Sequence, residues 1–107
     1  MSYVDVVIDN NTNHTDRLFT YGRKLEDVRP GDRVRVPFGP YNAPRPAYVC
    51  NISEVPPEGI KNLKWVKDRD EEIRLGDIAI QMSLWMKRRY FCRYIEAIHC
   101  FTPSGSP

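Results

Sequence analysis

Residues 28–39 read Val-Arg-Pro-Gly-Asp-Arg-Val-Arg-Val-Pro-Phe-Gly, a turn, a strand and a strand terminator in succession. Pro30 presets φ for a turn, and Gly31 supplies the position where φ can be positive. From Asp32 onward the side chains alternate. Val34 and Val36 point to one face of a strand, Arg33 and Arg35 to the other. Pro37 has no N–H for a ladder, so regular pairing is expected to end near it. Phe38 then stands beside Gly39, whose bare backbone lets a ligand or another chain come close.

Outward from this stretch the pattern stays β. Residues 3–8, Tyr-Val-Asp-Val-Val-Ile, form a β-rich run and predict the first strand. Residues 17–21, Arg-Leu-Phe-Thr-Tyr, alternate and put Phe19 and Tyr21 on one face with Arg17. Residues 47–52 predict a fourth strand and residues 63–66 a short fifth. The loop at 9–15, which carries His14, is rich in Asn, Thr and Asp. The three prolines of residues 40–46 predict a stiff loop outside any central ladder. A turn cluster follows at 56–59, and the acidic run of Asp68, Asp70, Glu71 and Glu72 reads as a solvated connector. Short strands punctuated by turns predict a small, partly closed barrel of the OB or SH3 sort.

The period then changes. Leu75, Ile78, Ala79, Met82, Trp85 and Met86 recur at helical spacing, with Asp77 near one end and Lys87, Arg88 and Arg89 near the other. This stripe is expected to bury the helix against the barrel, with Trp85 in the core. A second helix over 94–101 brings Ile95, Ile98 and Phe101 to one side. The fold class is α+β, an OB-like barrel of about five strands followed by two packed helices. The expected domain spans 1–103, with the barrel in 1–67 and the helical part in 74–101, and 104–107 opens a linker.

Composition narrows the function. Hydrophobic residues make up 41% and charged residues 28% of the 107, with a net charge of +2, which is ordinary for a globular domain. No apolar run approaches the ~18 residues of a membrane span. The cysteines, Cys50, Cys92 and Cys100, are odd in number and lack C-x-x-C spacing, against a disulfide framework or a zinc site. Reduced thiols suit an intracellular, cytoplasmic protein. No phosphate-binding loop, dinucleotide fingerprint or nucleophile elbow is present, so the chain is not expected to be an enzyme or to hold a cofactor.

What remains is arginine beside aromatic: Arg17, Phe19 and Tyr21, then Phe38 and Gly39, then Lys64 and Trp65. Aromatic faces stack bases and cations neutralise phosphate, the chemistry of single-stranded nucleic-acid binding. The same aromatics fit a barrel core whose arginines keep it soluble, and spacing alone leaves both readings open.

Arg-Leu-Phe-Thr-Tyr at 17–21, Pro-Gly-Asp-Arg-Val-Arg-Val-Pro-Phe-Gly at 30–39 and Tyr48-Val49 together resemble one family. It is the amino-terminal 3′-end DNA-binding domain of PriA, the primosomal replication-restart helicase. The likeness continues through Leu84-Trp85-Met86, Tyr90-Phe91 and residues 94–98 to Pro103. The resemblance implies capture of the 3′ end of the nascent leading strand at stalled forks. It places the terminal nucleotide against Phe19, Thr20, Gly39 and Lys64. Thr20 stands where the family has Asp, and Ala47 where it usually has glycine; Asp16 is a candidate replacement carboxylate. The resemblance also implies a parent that is an ATP-dependent 3′–5′ helicase, with ATP and zinc held outside this chain. Its partners would be forked or 3′-ended DNA, the parent's helicase domains, other primosome proteins and the single-strand-binding protein. A generic single-strand-binding barrel and a protein docking module remain the alternatives.

Overall fold

The computed structural model describes residues 2–10, 15–24, 28–56, 58–59, 63–90 and 92–101, with backbone alone at 71–74. His14, Pro57, Phe91 and the expected linker at 104–107 lie outside the described residues. The elements run β1 (Ser2–Ile8), β2 (Phe19–Arg23), β3 (Asp32–Phe38), β4 (Ala43–Ser53), β5 (Asp68–Arg74), α1 (Asp77–Tyr90) and α2 (Tyr94–His99). The strands form one antiparallel sheet in the order β2-β1-β4-β3-β5. With the two helices after it, this is a small α+β fold of the OB-like type.

The stretch at 28–39 behaves as its residues dictate. Asp32 N–H donates to the Arg29 carbonyl at 3.1 Å, and Gly31 between them has φ +94°, which makes a type II turn with Pro30 leading. The buried Asp32 carboxylate accepts the Arg29 N–H at 2.9 Å. Val34 and Val36 are buried inside the curved sheet with Val4, Val6, Ile8, Tyr21, Val28, Ala47, Val49 and Val66.

Three expectations about strands are corrected. Residues 43–46 are not loop: β4 begins at Ala43, and Pro44 and Pro46 sit opposite Pro37 and Arg35 of β3. Pro37 and Pro44 both lack an N–H, so theirs is a pair that exchanges no ladder bonds. Pro46, two residues on, has the same parity and turns its carbonyl toward β1, where Asp9 N–H donates to it at 2.8 Å. Prolines at alternate positions thus lose nothing on the β3 side. The true loop is only the hairpin at 39–42, where Asn42 N–H donates to the Gly39 carbonyl at 3.2 Å.

The acidic run is not a connector either. It belongs to β5, which pairs with β3 so that Asp68 lies opposite Arg35 and Asp70 opposite Arg33. Arg35 grips Asp68 with two hydrogen bonds, 2.6 and 2.9 Å. Residues 63–66, expected as the fifth strand, instead make one isolated parallel bridge, Gly22 to Trp65. Gly22 N–H donates to the Lys64 carbonyl at 2.8 Å and its own carbonyl accepts Val66 N–H at 3.0 Å. Lys67 N–H then donates to the Arg35 carbonyl at 2.8 Å. The chain just before β5 thereby bridges β2 and β3 and closes the barrel. Inside the seam, the buried Tyr21 hydroxyl donates to the Pro37 carbonyl at 2.8 Å.

The helices cover the outer face of the sheet. Ile80, Ile95 and Ile98 pack on Val7, Tyr48 and Cys50, with Leu75, Leu84 and Tyr94 around them. The face of α1 turned inward is therefore Ile80, Ser83 and Leu84, not the stripe expected from hydropathy. Trp85 is 48% exposed, Met82 49% and Ile78 77%, so Trp85 is not core. Ser83 can face inward because its hydroxyl donates to the Ala79 carbonyl at 2.9 Å. Lys87, on the side opposite Trp85, pairs with Asp16 at 3.2 Å.

Candidate nucleic-acid interface

β2 is an edge strand, and the pairing on its outer side begins only at Gly22. Backbone groups along a strand alternate in direction. Gly22 turns its N–H and carbonyl outward to residues 64 and 66, so Thr20, two residues back, turns its own the same way. Among the described residues no strand pairs with them there. Among the described residues, then, the barrel seam is sewn at one end of β2 and no pairing continues it toward the other.

A cavity of about 320 Å³ lies at that other end, lined by Arg17, Leu18, Phe19, Thr20, Tyr21, Phe38, Gly39 and Lys64. It is near the lower end of the ~300–1,000 Å³ span of ligand pockets, suited to one nucleoside-sized group. Every site residue expected from the sequence lines it; Leu18 joins them. Trp65 does not. Its ring lies against Gly22, where any Cβ would collide with it, and Lys24 sits 5.1 Å from its centroid.

Three elements supply the walls. β2 brings Phe19, whose ring meets Phe38 at the end of β3 edge-to-face, 5.2 Å between centroids. The exposed Arg17 guanidinium lies 4.7 Å from the Phe19 centroid. Gly39 opens the hairpin with φ +79°, a conformation that favours glycine, and a Cβ built there meets nothing within 4 Å. Lys64 reaches across from the seam and donates to the Gly39 carbonyl at 3.0 Å. The rim therefore holds an aromatic platform, two cations and a strand edge with which no described strand pairs. These can stack a base, meet phosphate and bond to polar base or sugar atoms.

Asp16 does not stand in for the missing carboxylate. Its Oδ2 is 3.2 Å from Lys87 Nζ, and its Oδ1 accepts the Tyr94 N–H at 2.8 Å, so it ties the two helices to the approach of β2. Another carboxylate is nearer. Asp5 of β1 lies directly opposite Thr20, and the Thr20 hydroxyl donates to its Oδ1 at 2.7 Å. Sequence reading missed Asp5 because the contact crosses strands. The available signal was a lone acid in an otherwise apolar run.

The model of the 3′ DNA-binding domain (3′BD) of PriA matches residues 5–103. No curated protein gives a significant match to the chain. The matched span runs from β1 through α2 and so takes in every wall of the cavity. A match over nearly the whole chain, on a fold with an aromatic and basic pocket beside the edge of β2, establishes that the chain belongs to the PriA 3′ DNA-binding domain family, modules that bind the 3′ ends of DNA.

Proposed function

We propose that the cavity receives the 3′-terminal nucleotide of the nascent leading strand at a stalled fork, on behalf of a replication-restart helicase. The observation that carries this reading is the cavity beside the edge of β2, where Phe19, Thr20, Gly39 and Lys64 converge on a space for one nucleoside. The base stacks on Phe19 and displaces the Arg17 guanidinium, which moves to the backbone phosphate. Gly39 lets the nucleotide close against the hairpin. Lys64 turns toward phosphate and keeps a bond to the Gly39 carbonyl with one of its three N–H groups. The parent is an ATP-dependent 3′–5′ helicase of the cytoplasm that supplies its own ATP and zinc sites. Its further partners on this reading are other primosome proteins and the single-strand-binding protein.

The test is competition among forked DNAs that differ only at the 3′ terminus of the leading strand, together with a closed single-stranded circle. A junction-proximal 3′-hydroxyl should bind tightest, and the circle weakest. Lys64→Ala should flatten the salt dependence by about one unit of slope. Equal affinity for all the DNAs would leave only a generic single-strand binder and overturn the reading.

A further inference from the structure

We propose that Asp5 is a positioning residue for 3′-end recognition: by accepting the hydrogen bond of the Thr20 hydroxyl, it presents Thr20 Oγ1 to the DNA as an acceptor for the terminal 3′-hydroxyl. The inference rests on the 3′-end reading above and names the residue that determines its selectivity.

A threonine hydroxyl has one proton and two lone pairs, so it can ordinarily donate or accept. Here the proton is committed. Thr20 and Asp5 face each other across β1 and β2, and Thr20 Oγ1 donates to Asp5 Oδ1 at 2.7 Å. The pairing is enforced by the ladder. Gly22 turns its backbone away from β1, so the Tyr3–Gly22 and Asp5–Thr20 pairs are of the kind that exchanges no backbone bonds. In such pairs the side chains stand closest. Any further hydrogen bond to Thr20 Oγ1 must then come from a donor. A 3′-hydroxyl is a donor; a 3′-hydrogen and a 3′-phosphate dianion are not. Donation to an anion also polarises the hydroxyl and strengthens it as an acceptor. The negative charge of Asp5 behind it disfavours phosphate a second time.

The pair therefore gives position 20 the acceptor character of a carboxylate while the charge sits one strand away. Asp16, the other carboxylate near the site, is occupied by Lys87 and the Tyr94 N–H.

The experiment measures binding of 3′-hydroxyl, 3′-deoxy (dideoxy-terminated) and 3′-phosphate forms of one oligonucleotide to the wild-type chain, Asp5→Asn, Thr20→Val and the double variant. Wild type should prefer hydroxyl over deoxy by about tenfold, the size of one good hydrogen bond. In Asp5→Asn the amide can donate to Oγ1, and the ratio should fall to about twofold or less. Affinity for the 3′-deoxy form should change little, which shows that the fold and the stacking contact survive. Thr20→Val keeps the β-branched shape and should lose the same ratio, and adding Asp5→Asn to it should change nothing more. A hydroxyl-to-deoxy ratio untouched by Asp5→Asn would overturn the inference while leaving 3′-end binding intact. A wild type that binds a closed circle as well as a 3′-ended strand would instead remove the reading on which it rests.

Discussion

Phe19 has Arg17 over its ring and Phe38 meeting it edge-to-face, at centroid distances of 4.7 and 5.2 Å. One neighbour is a mobile cation in solvent, the other a fixed ring. Stacking of a base on an aromatic contributes roughly 1–3 kcal/mol. Phe19→Ala should therefore weaken binding of 3′-ended DNA by about tenfold or more, read by fluorescence anisotropy. Gly39→Val should cost at least as much. The built Cβ meets no protein atom within 4 Å, so its side chain would project into the space the ligand needs. It would also force a β-branched residue to φ +79°, so a modest drop in melting temperature should accompany the loss. Unchanged affinity in both variants would show that the nucleotide sits elsewhere.

Among the elements, the seam between β2 and the chain before β5 depends on a single glycine. Any side chain at Gly22 would drive into the Trp65 ring, and the indole has no flexible end to yield. Gly22→Ala should destabilise by about 1–3 kcal/mol, as overpacking does. That lowers the melting temperature by about 4–8 °C for each kcal/mol in a domain near this size. Trp85→Ala should stay near wild type by comparison, because Trp85 is half exposed and packs edge-to-face on Tyr90, itself exposed. The reverse ranking in thermal melts would refute this account of the seam. These elements also show what sequence could and could not disclose. The type II turn at Pro30-Gly31 was legible because its determinants are adjacent residues. So was the run of cavity residues from Arg17 to Tyr21. The prolines of β4 misled because composition does not say which way an absent N–H would have pointed. The stripe of α1 misled because hydropathy offered two helical faces, and the one that packs on the sheet and α2, through Ile80 and Leu84, is the less apolar. The strand at 68–74 was hidden because Asp68 and Asp70 are matched by Arg35 and Arg33, far away along the chain.

For the whole molecule, buried phenols and a buried thiol set the response to alkali, and Tyr48 is among them, its phenol raised by burial. Burial pushes the Tyr21 phenol up to about 12. Burial, with a smaller push from the charge of Asp5, takes the Cys50 thiol from 9.0 to about 12. Both ionise at their ordinary values in the unfolded chain but stay neutral in the folded one. The unfolded chain thus loses protons first as pH rises. These groups leave stability unaffected below about pH 9 and lower it progressively from there through about 12. Urea midpoints across that range should show the decline, and Cys50→Ala should make it shallower. A flat profile through about pH 11 would contradict the burial of these groups. Cys50 should also resist alkylation in the folded protein at neutral pH, whereas the exposed Cys100 should react.

The end of β2 before Gly22, with which no described strand pairs, has a second consequence. An edge that offers backbone groups to a nucleotide offers them equally to a passing strand of any protein, the usual start of edge-to-edge aggregation. Here that stretch is short, and Arg17 and Lys64 stand beside it. Like charges on two such edges repel, and an incoming peptide would have to bury them. The two cations placed to meet phosphate therefore also act as gatekeepers, keeping this edge from polymerising while it waits for DNA.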